Sequence, residues 1–226
     1  MEKQPFTNSV QLEVWGDYAC FSRPEMKVER VSYDVMTPSA ARGILEAIYW
    51  HPGIKWIVDS IRVCAPIQFV AVRRNEVSEK ANSRAARTVM ESGKGEIYLN
   101  TRECAVQRSS IILKDVRYVI EAHFELTDKM NPSDNVYKFS SMIQRRIEKG
   151  QFYHKPSFGC REFPVNFQKC EKIPECPDSL KGEKDLGWML YDMDYTDPEN
   201  ITPRFYRAVM KDGLITLPPY KEAMGK

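Results

Sequence analysis

Two hydrophobic periods succeed one another along the chain and predict its elements. Val10, Leu12 and Val14 alternate with Gln11, Glu13 and Trp15, the period-two pattern of a half-buried strand. Thr37 then offers an N-cap and Pro38 fits the first helical position, where its missing N–H is no loss. From there Ala41, Ile44, Leu45 and Ile48 recur at helical spacing, a stripe that packs on a sheet, and Pro52-Gly53 stops the helix. Arg42, Glu46 and Tyr49 stack on the neighbouring flank. Residues 54–58 and 61–63 predict a second strand with a break or bulge, with 67–72 as a candidate extension beyond Pro66.

Between 73 and 110 the pattern dissolves. Eight lysines and arginines stand there against five glutamates, and Asn82–Arg87 has the composition of a short helical turn. A segment this long is either a solvated, mobile loop or an arm that grips phosphates. Residues 114–126 then give the cleanest alternation in the chain. Val116, Tyr118, Ile120, Ala122, Phe124 and Leu126 form the expected core face, so His123 points outward, flanked by Glu121 and Glu125. A second helix is predicted over 133–149, with Val136, Phe139, Ile143 and Ile147 buried and Gly150 as its stop. Short strands follow over 186–191, 205–209 and 214–217, the last two flanking the hairpin signal Lys211-Asp212-Gly213, and 220–226 is expected to fray. Strand, helix, strand, insertion, strand, helix and several more strands fit an α+β, ferredoxin-like (RRM-like) βαββαβ core with a β-rich C-terminal extension. Both helices of that topology cover one sheet face and leave the other as a platform for single-stranded RNA.

Composition narrows the setting more than the chemistry. The 226 residues are 42 % hydrophobic, with no apolar run long enough to span a bilayer. Met1–Pro5 carries no apolar signal region, and the six cysteines form no Cys-x-x-Cys pair, so reduced thiols and a cytoplasmic location are expected. Cys160, Cys170 and Cys176 with His154 have spacings too irregular for a zinc site, and no metal or cofactor is expected. With a net charge of +2, affinity for nucleic acid has to come from local clusters.

Tyr49 and His123 are the candidate reactive pair. RNA is cut without a metal when the 2′-hydroxyl beside the scissile bond is deprotonated, the leaving 5′-oxygen is protonated and a cation offsets the charge growing on the phosphate. The bland reading of Tyr49 is a half-buried aromatic at a helix end, and that of His123 a surface strand residue. Asp192, Asp194 and Asp197 resemble a metal-binding cluster but lack a glycine-rich ligand loop, which favours a solvated strand end. Gly93-Lys94-Gly95 is no P-loop, and no Gly-x-Ser-x-Gly occurs.

Several stretches together resemble one family. They are Val-Trp-Gly-Asp-Tyr-Ala at 14–19, Ser-Tyr-Asp-Val-Met-Thr-Pro at 32–38, Gly-Ile-Leu-Glu-Ala-Ile-Tyr-Trp-His-Pro at 43–52, Leu-Lys-Asp-Val-Arg-Tyr at 113–118, Ala-His-Phe-Glu at 122–125 and Gly-Cys-Arg-Glu-Phe at 159–163. The chain is similar, from about residue 10 to 217, to the CRISPR-associated proteins of Cas family five in their subtype I-C variant, repeat-processing endoribonucleases of the RAMP superfamily. The resemblance implies a ferredoxin-like domain over 1–160 with a long basic β-hairpin insertion at 71–112, and a β-rich extension over 161–226. It implies a metal-independent endoribonuclease of antiviral defence that cleaves the repeat hairpin of precursor CRISPR RNA and stays on the 5′ handle. The implied partners are that RNA, the backbone and large subunits of the subtype I-C surveillance complex and target DNA within it, with no membrane.

The family's tyrosine and histidine fall on Tyr49 and His123. Its lysine has no counterpart, because Glu121 and Ala122 stand just ahead of His123. Arg42, or Arg145, Arg146 and Lys149 at the end of the second helix, are candidate substitutes for that charge. RNA binding is expected from Arg42, Arg73, Arg74, Arg84, Arg87 and Arg161. A non-catalytic RNA-binding scaffold subunit is the rival reading, kept open by Glu121, and a metal-dependent DNase using Asp192 and Asp194 is a third.

Overall fold

The computed structural model describes residues 8–26, 28–80 and 82–225. Met1–Pro5, expected to carry no signal region, lies outside them, as do Lys27 and Lys226. The chain opens with β1 (Ser9–Ala19), pairs briefly as β2 (Arg30–Val31), and enters α1 (Pro38–Ile48), where the Thr37 hydroxyl accepts from Ala40 N–H as its cap. The expected stripe Ala41, Ile44, Leu45 and Ile48 is buried. Strand β3 (Ile54–Val63) carries a bulge between Val58 and Ser60, where the two apolar runs are interrupted. Residues 67–72 do not prolong it. From Phe69 on they belong to a separate strand, β4 (Phe69–Val77), antiparallel to the first half of the 22-residue β5 (Ala105–Leu126).

The segment without a pattern is therefore an ordered hairpin, with α2 (Ser83–Ser92) at its tip. Its periodicity was illegible because both faces of β4 meet solvent and α2 buries none of its residues, so neither needs an apolar stripe. Asp115, at φ +52°, marks the bend where β5 leaves the arm and enters the core. Beyond it, Val116, Tyr118, Ile120, Ala122 and Phe124 are buried as expected, whereas Leu126, at the strand's end, is 40 % exposed.

Helix α3 (Val136–Glu148) starts later than the sequence suggests. Asn131–Asp134 forms a turn first, closed by Asp134 N–H on Asn131 O, and Asn135 is the cap. The short β6 (Asn166–Lys169) then lies beside β1. The order β6–β1–β5–β3 is that of a ferredoxin-like sheet, with α1 and α3 on one face. The sheet continues through β9 (Leu214–Thr216) and β8 (Thr202–Lys211) to β7 (Glu183–Asp194), and β7 curls back onto α1. Asp212 and Gly213, both left-handed, make the tight β8–β9 turn that Asp-Gly predicts. The tail does not fray after Tyr220: α4 (Tyr220–Ala223) forms there and Met224 is buried. One buried cluster links residues from 12 to 224, and among the described residues no helix is long and apolar enough to cross a membrane.

Candidate active site

Helix α1 ends at Ile48, and Tyr49 caps it with extended backbone (φ −145°, ψ 113°) while its N–H still donates to Leu45 O at 2.9 Å. Leaving the helical path takes the ring off the Arg42–Glu46 flank and into the core, where Tyr49 is 3 % exposed. Its hydroxyl donates to Met142 Sδ at 3.6 Å, and its ring lies 6.5 Å from Phe139. Burial pushes the phenol above its ordinary pKa, with the Arg146 guanidinium, 5.1 Å from the ring, opposing. Arg146 also donates to Ile48 O at 2.6 Å, satisfying a carbonyl that the helix end leaves open.

His123 stands on the other face of the sheet. Its neighbours Ala122 and Phe124 are buried on the helix side, where Phe124 meets Phe139 of α3, so strand alternation sends His123 away from them. Its ladder partner is Ile57; the register then slips, leaving Asp59 as the extra residue of the bulge. That bulge aims the Asp59 carboxylate at the imidazole, with both oxygens 2.9 Å from Nδ1. A carboxylate accepts, so Nδ1 carries a proton and Nε2 is the nitrogen left to face a substrate. The carboxylate that orients His123 thus comes from β3, not from Glu121 or Glu125 on its own strand.

A cavity of about 660 Å³ opens beside this pair, walled by Lys55, Ile57 and Glu125 on the strand side and by residues 216–221 on the other. Those residues are fastened to the bulge: Leu217 N–H donates to Asp59 O at 3.0 Å, and the Tyr191 hydroxyl to Pro218 O at 3.4 Å. The Lys55 ammonium sits 3.4 Å from the centre of the Tyr220 ring. The structure does not bring Tyr49 and His123 together, because the sheet itself separates a closed phenol from an open imidazole.

The cations divide in a way the sequence did not reveal. Arg42 is held bidentately by Asp192 (Nε–Oδ2 2.9 Å, Nη2–Oδ1 2.8 Å) and by Glu46 at 2.6 Å. Burial works against its charge, but the two carboxylates outweigh that and raise its pKa. It fastens α1 to β7 and is not open to phosphate. Arg74 is likewise engaged, by Glu162 and by Ser110 Oγ at 3.2 Å. Arg73, Arg84, Arg87 and Arg161 are exposed, Arg87 with Glu91 one helical turn away at 2.9 Å. Of the three aspartates expected at a solvated strand end, only Asp197 is exposed. Asp192 and Asp194 are buried, and Asp194 accepts from Arg204 at 3.0 Å. Among the described residues, no three His, Cys, Asp or Glu side chains converge as metal ligands.

Carboxylates on the open sheet face are engaged by polar side chains of the same face. Glu13 binds Arg117 and Gln168, and Glu121 accepts from Ser60 Oγ at 3.1 Å and Gln11 at 3.3 Å. Sequence reasoning passed over Asp59, Lys55 and Tyr220. The interrupted apolar run at 58–61 was a legible signal for the bulge, but its partner across the sheet was not.

A ferredoxin-like core with a projecting hairpin and a strand-rich extension defines the class of protein. The family model described as CRISPR-associated protein (Cas_Cas5), of the Cas5d type, matches residues 9–218, and the chain belongs to that family. It is 46 % identical over 218 residues to "CRISPR pre-crRNA endoribonuclease Cas5d" of Mannheimia succiniciproducens, covering 94 % of this chain and 96 % of that one. A solved CRISPR-associated protein superposes with a TM-score of 0.68 at 23 % identity, over 96 % of this chain and 94 % of the other. A chain of a CRISPR RNA-guided surveillance complex does so at 0.50 and 12 %, over 96 % of each; both likenesses bear on the fold.

Proposed function

We propose that this chain is the endoribonuclease that cuts precursor CRISPR RNA at its repeat, without a metal, with the His123 cavity as its active site. The observation that carries the reading is the Asp59–His123 pair at 2.9 Å, opening into a cavity of about 660 Å³. Asp59 fixes the tautomer that leaves Nε2 as the base. Nε2 takes the proton of the 2′-hydroxyl as its oxygen bonds to the adjacent phosphorus. The P–O5′ bond breaks, and the proton passes from the imidazolium to the departing 5′-oxygen, directly or through one water. The products are a 2′,3′-cyclic phosphate and a 5′-hydroxyl. Tyr49 has no part in this transfer; it packs α1 onto α3.

On this reading, residues 1–160 supply the RNA-facing core and the arm, and 161–226 close the cavity. Arg73, Arg84, Arg87 and Arg161 are the exposed cations offered to phosphates. The 46 % identity to a named pre-crRNA endoribonuclease supports the substrate. Family membership supports retention on the 5′ handle within a surveillance complex of subtype I-C, beside its backbone and large subunits and the target DNA they hold. Repeat RNA incubated with the chain in EDTA tests the reading. Cleavage leaving a 5′-hydroxyl, abolished by His123→Ala and kept by Tyr49→Phe, is the expected result. Tight binding of intact RNA by the wild-type chain points instead to the scaffold reading, which Glu121 on the same strand face favours.

A further inference from the structure

A phosphate passing through a five-coordinate transition state gathers negative charge, and without a metal a positively charged side chain has to meet it. Arg42, the cation nearest Tyr49 in sequence, is closed off by Asp192 and Glu46. Arg145 and Arg146 belong to α3, on the helix face, with Lys149 as its C-cap, and Arg146 is bonded to Ile48 O. Arg117 shares the face of His123 but binds Glu13.

We infer that Lys55, braced against the Tyr220 ring, is the cation that neutralises the scissile phosphate at the His123 cavity. This rests on the endoribonuclease reading and adds the residue that reading lacks. Lys55 lies two residues before Ile57, the ladder partner of His123, so its side chain leaves the same sheet face on the adjacent strand. Diagonal neighbours of this kind have backbones about 7–8 Å apart, a span that places one phosphate between an ammonium and an imidazole. Both side chains line the one cavity.

The brace matters because a lysine side chain is long and loses its rotamer freedom when it binds. The Tyr220 ring, 3.4 Å from Nζ, removes part of that freedom in advance. An ammonium carries several N–H donors, so holding it against a ring still lets it donate to phosphate oxygens. Tyr220 is in turn fixed. Its ring lies 6.3 Å from that of Tyr191, and the segment before it is bonded to Asp59. The bulge that orients His123 therefore also anchors the ring that positions Lys55. Lys221 lines the cavity too, but it is exposed at the rim. Glu125 faces Lys55 across the ladder and Asp59 is engaged by His123, so Lys55 also offsets the carboxylates that a phosphate would otherwise meet.

Single-turnover cleavage in EDTA by the full chain tests this, alongside binding to the same hairpin with a 2′-deoxy nucleotide at the cut. Lys55→Ala is expected to slow cleavage about 10²–10³-fold, the loss seen when one charge-stabilising donor is removed. Binding of the uncleavable hairpin should change less than about fivefold, because the interaction grows only in the transition state. Lys55→Arg should restore at least about tenfold, and Tyr220→Ala, which removes the ring, should lose about tenfold. Lys55→Gln keeps the aliphatic stem and repeats the Lys55→Ala result if charge, not packing, is at issue. Full cleavage by Lys55→Ala while His123→Ala is inactive overturns the inference and leaves the endoribonuclease reading standing. A loss of cleavage matched by an equal loss of binding also overturns it. Wild-type cleavage by His123→Ala overturns both.

Discussion

The two faces of the central sheet treat their conspicuous aromatic groups in opposite ways. On the helix face, Tyr49 is enclosed by Phe139 and Met142 with its hydroxyl turned to a thioether. On the other, one residue along the strand from the buried Ala122, His123 is held by a carboxylate and opens into a cavity. Both residues lie within the stretch that the family model matches, yet the parity of one strand and the end of one helix put a layer of protein between them. What makes a group available for chemistry here is which side of the sheet it leaves, and a bulge that supplies its partner.

The sharpest way to break this contrast is to exchange the consequences of altering its two members. His123→Ala should reduce single-turnover cleavage about 10²–10⁴-fold, the usual weight of a general base, while Tyr49→Phe stays within about threefold. A Tyr49→Phe enzyme as inactive as His123→Ala would mean that the helix face rearranges to reach the phosphate. Next in size, Asp59→Asn should lower the rate about 10²-fold with little change in RNA affinity, because an amide can hold the ring in the wrong tautomer. A rate equal to wild type would make the bulge a purely structural feature.

Much of the contrast was legible in the chain. Alternation over 114–126 placed His123 outward, and the i, i+3, i+4 stripe of α1 identified the packed side of that helix. What alternation cannot supply is the residue opposite. Asp59 meets His123 only because β3 lies next to β5 with a slip of one residue. Tyr49 was misplaced for a different reason. Its i+3 spacing from Glu46 assumes a helix that continues, and the helix stops one residue short. The arm was unreadable because its described residues bury no apolar stripe, and the tail because its anchors, Asp59 and Tyr191, lie far back in the sequence.

Stability measurements sharpen the same comparison from the helix side. Asp192→Ala leaves Arg42 partly buried beside α1 without its bidentate partner and should cost about 3 kcal/mol, read as a lower urea midpoint. Arg42→Lys should recover only part, since one ammonium cannot make both bonds. A smaller effect concerns pH. Burial raises the Tyr49 phenol, so its contribution to stability is complete below the ordinary value of about 10 and is lost as pH rises through the higher folded value. Tyr49→Phe removes that group, and its unfolding free energy should fall less steeply above about pH 10 than that of the wild type. Smallest is the arm: reversing Arg84 or Arg87 should lower the slope of log K against log salt by about 0.7–0.9 for each phosphate no longer neutralised. An unchanged slope would remove α2 from the RNA path.

The wall formed by residues 216–221 also has a consequence for synthesis. The ferredoxin-like order is complete once β6 has emerged from the ribosome, about fifty residues before that wall is made. Until then the imidazole faces bulk water across an unfinished site. The same late residues complete the buried core, so the Asp59–His123 pair gains the far wall of its cavity, and the sheet its last apolar contacts, only when the final strand and short final helix arrive.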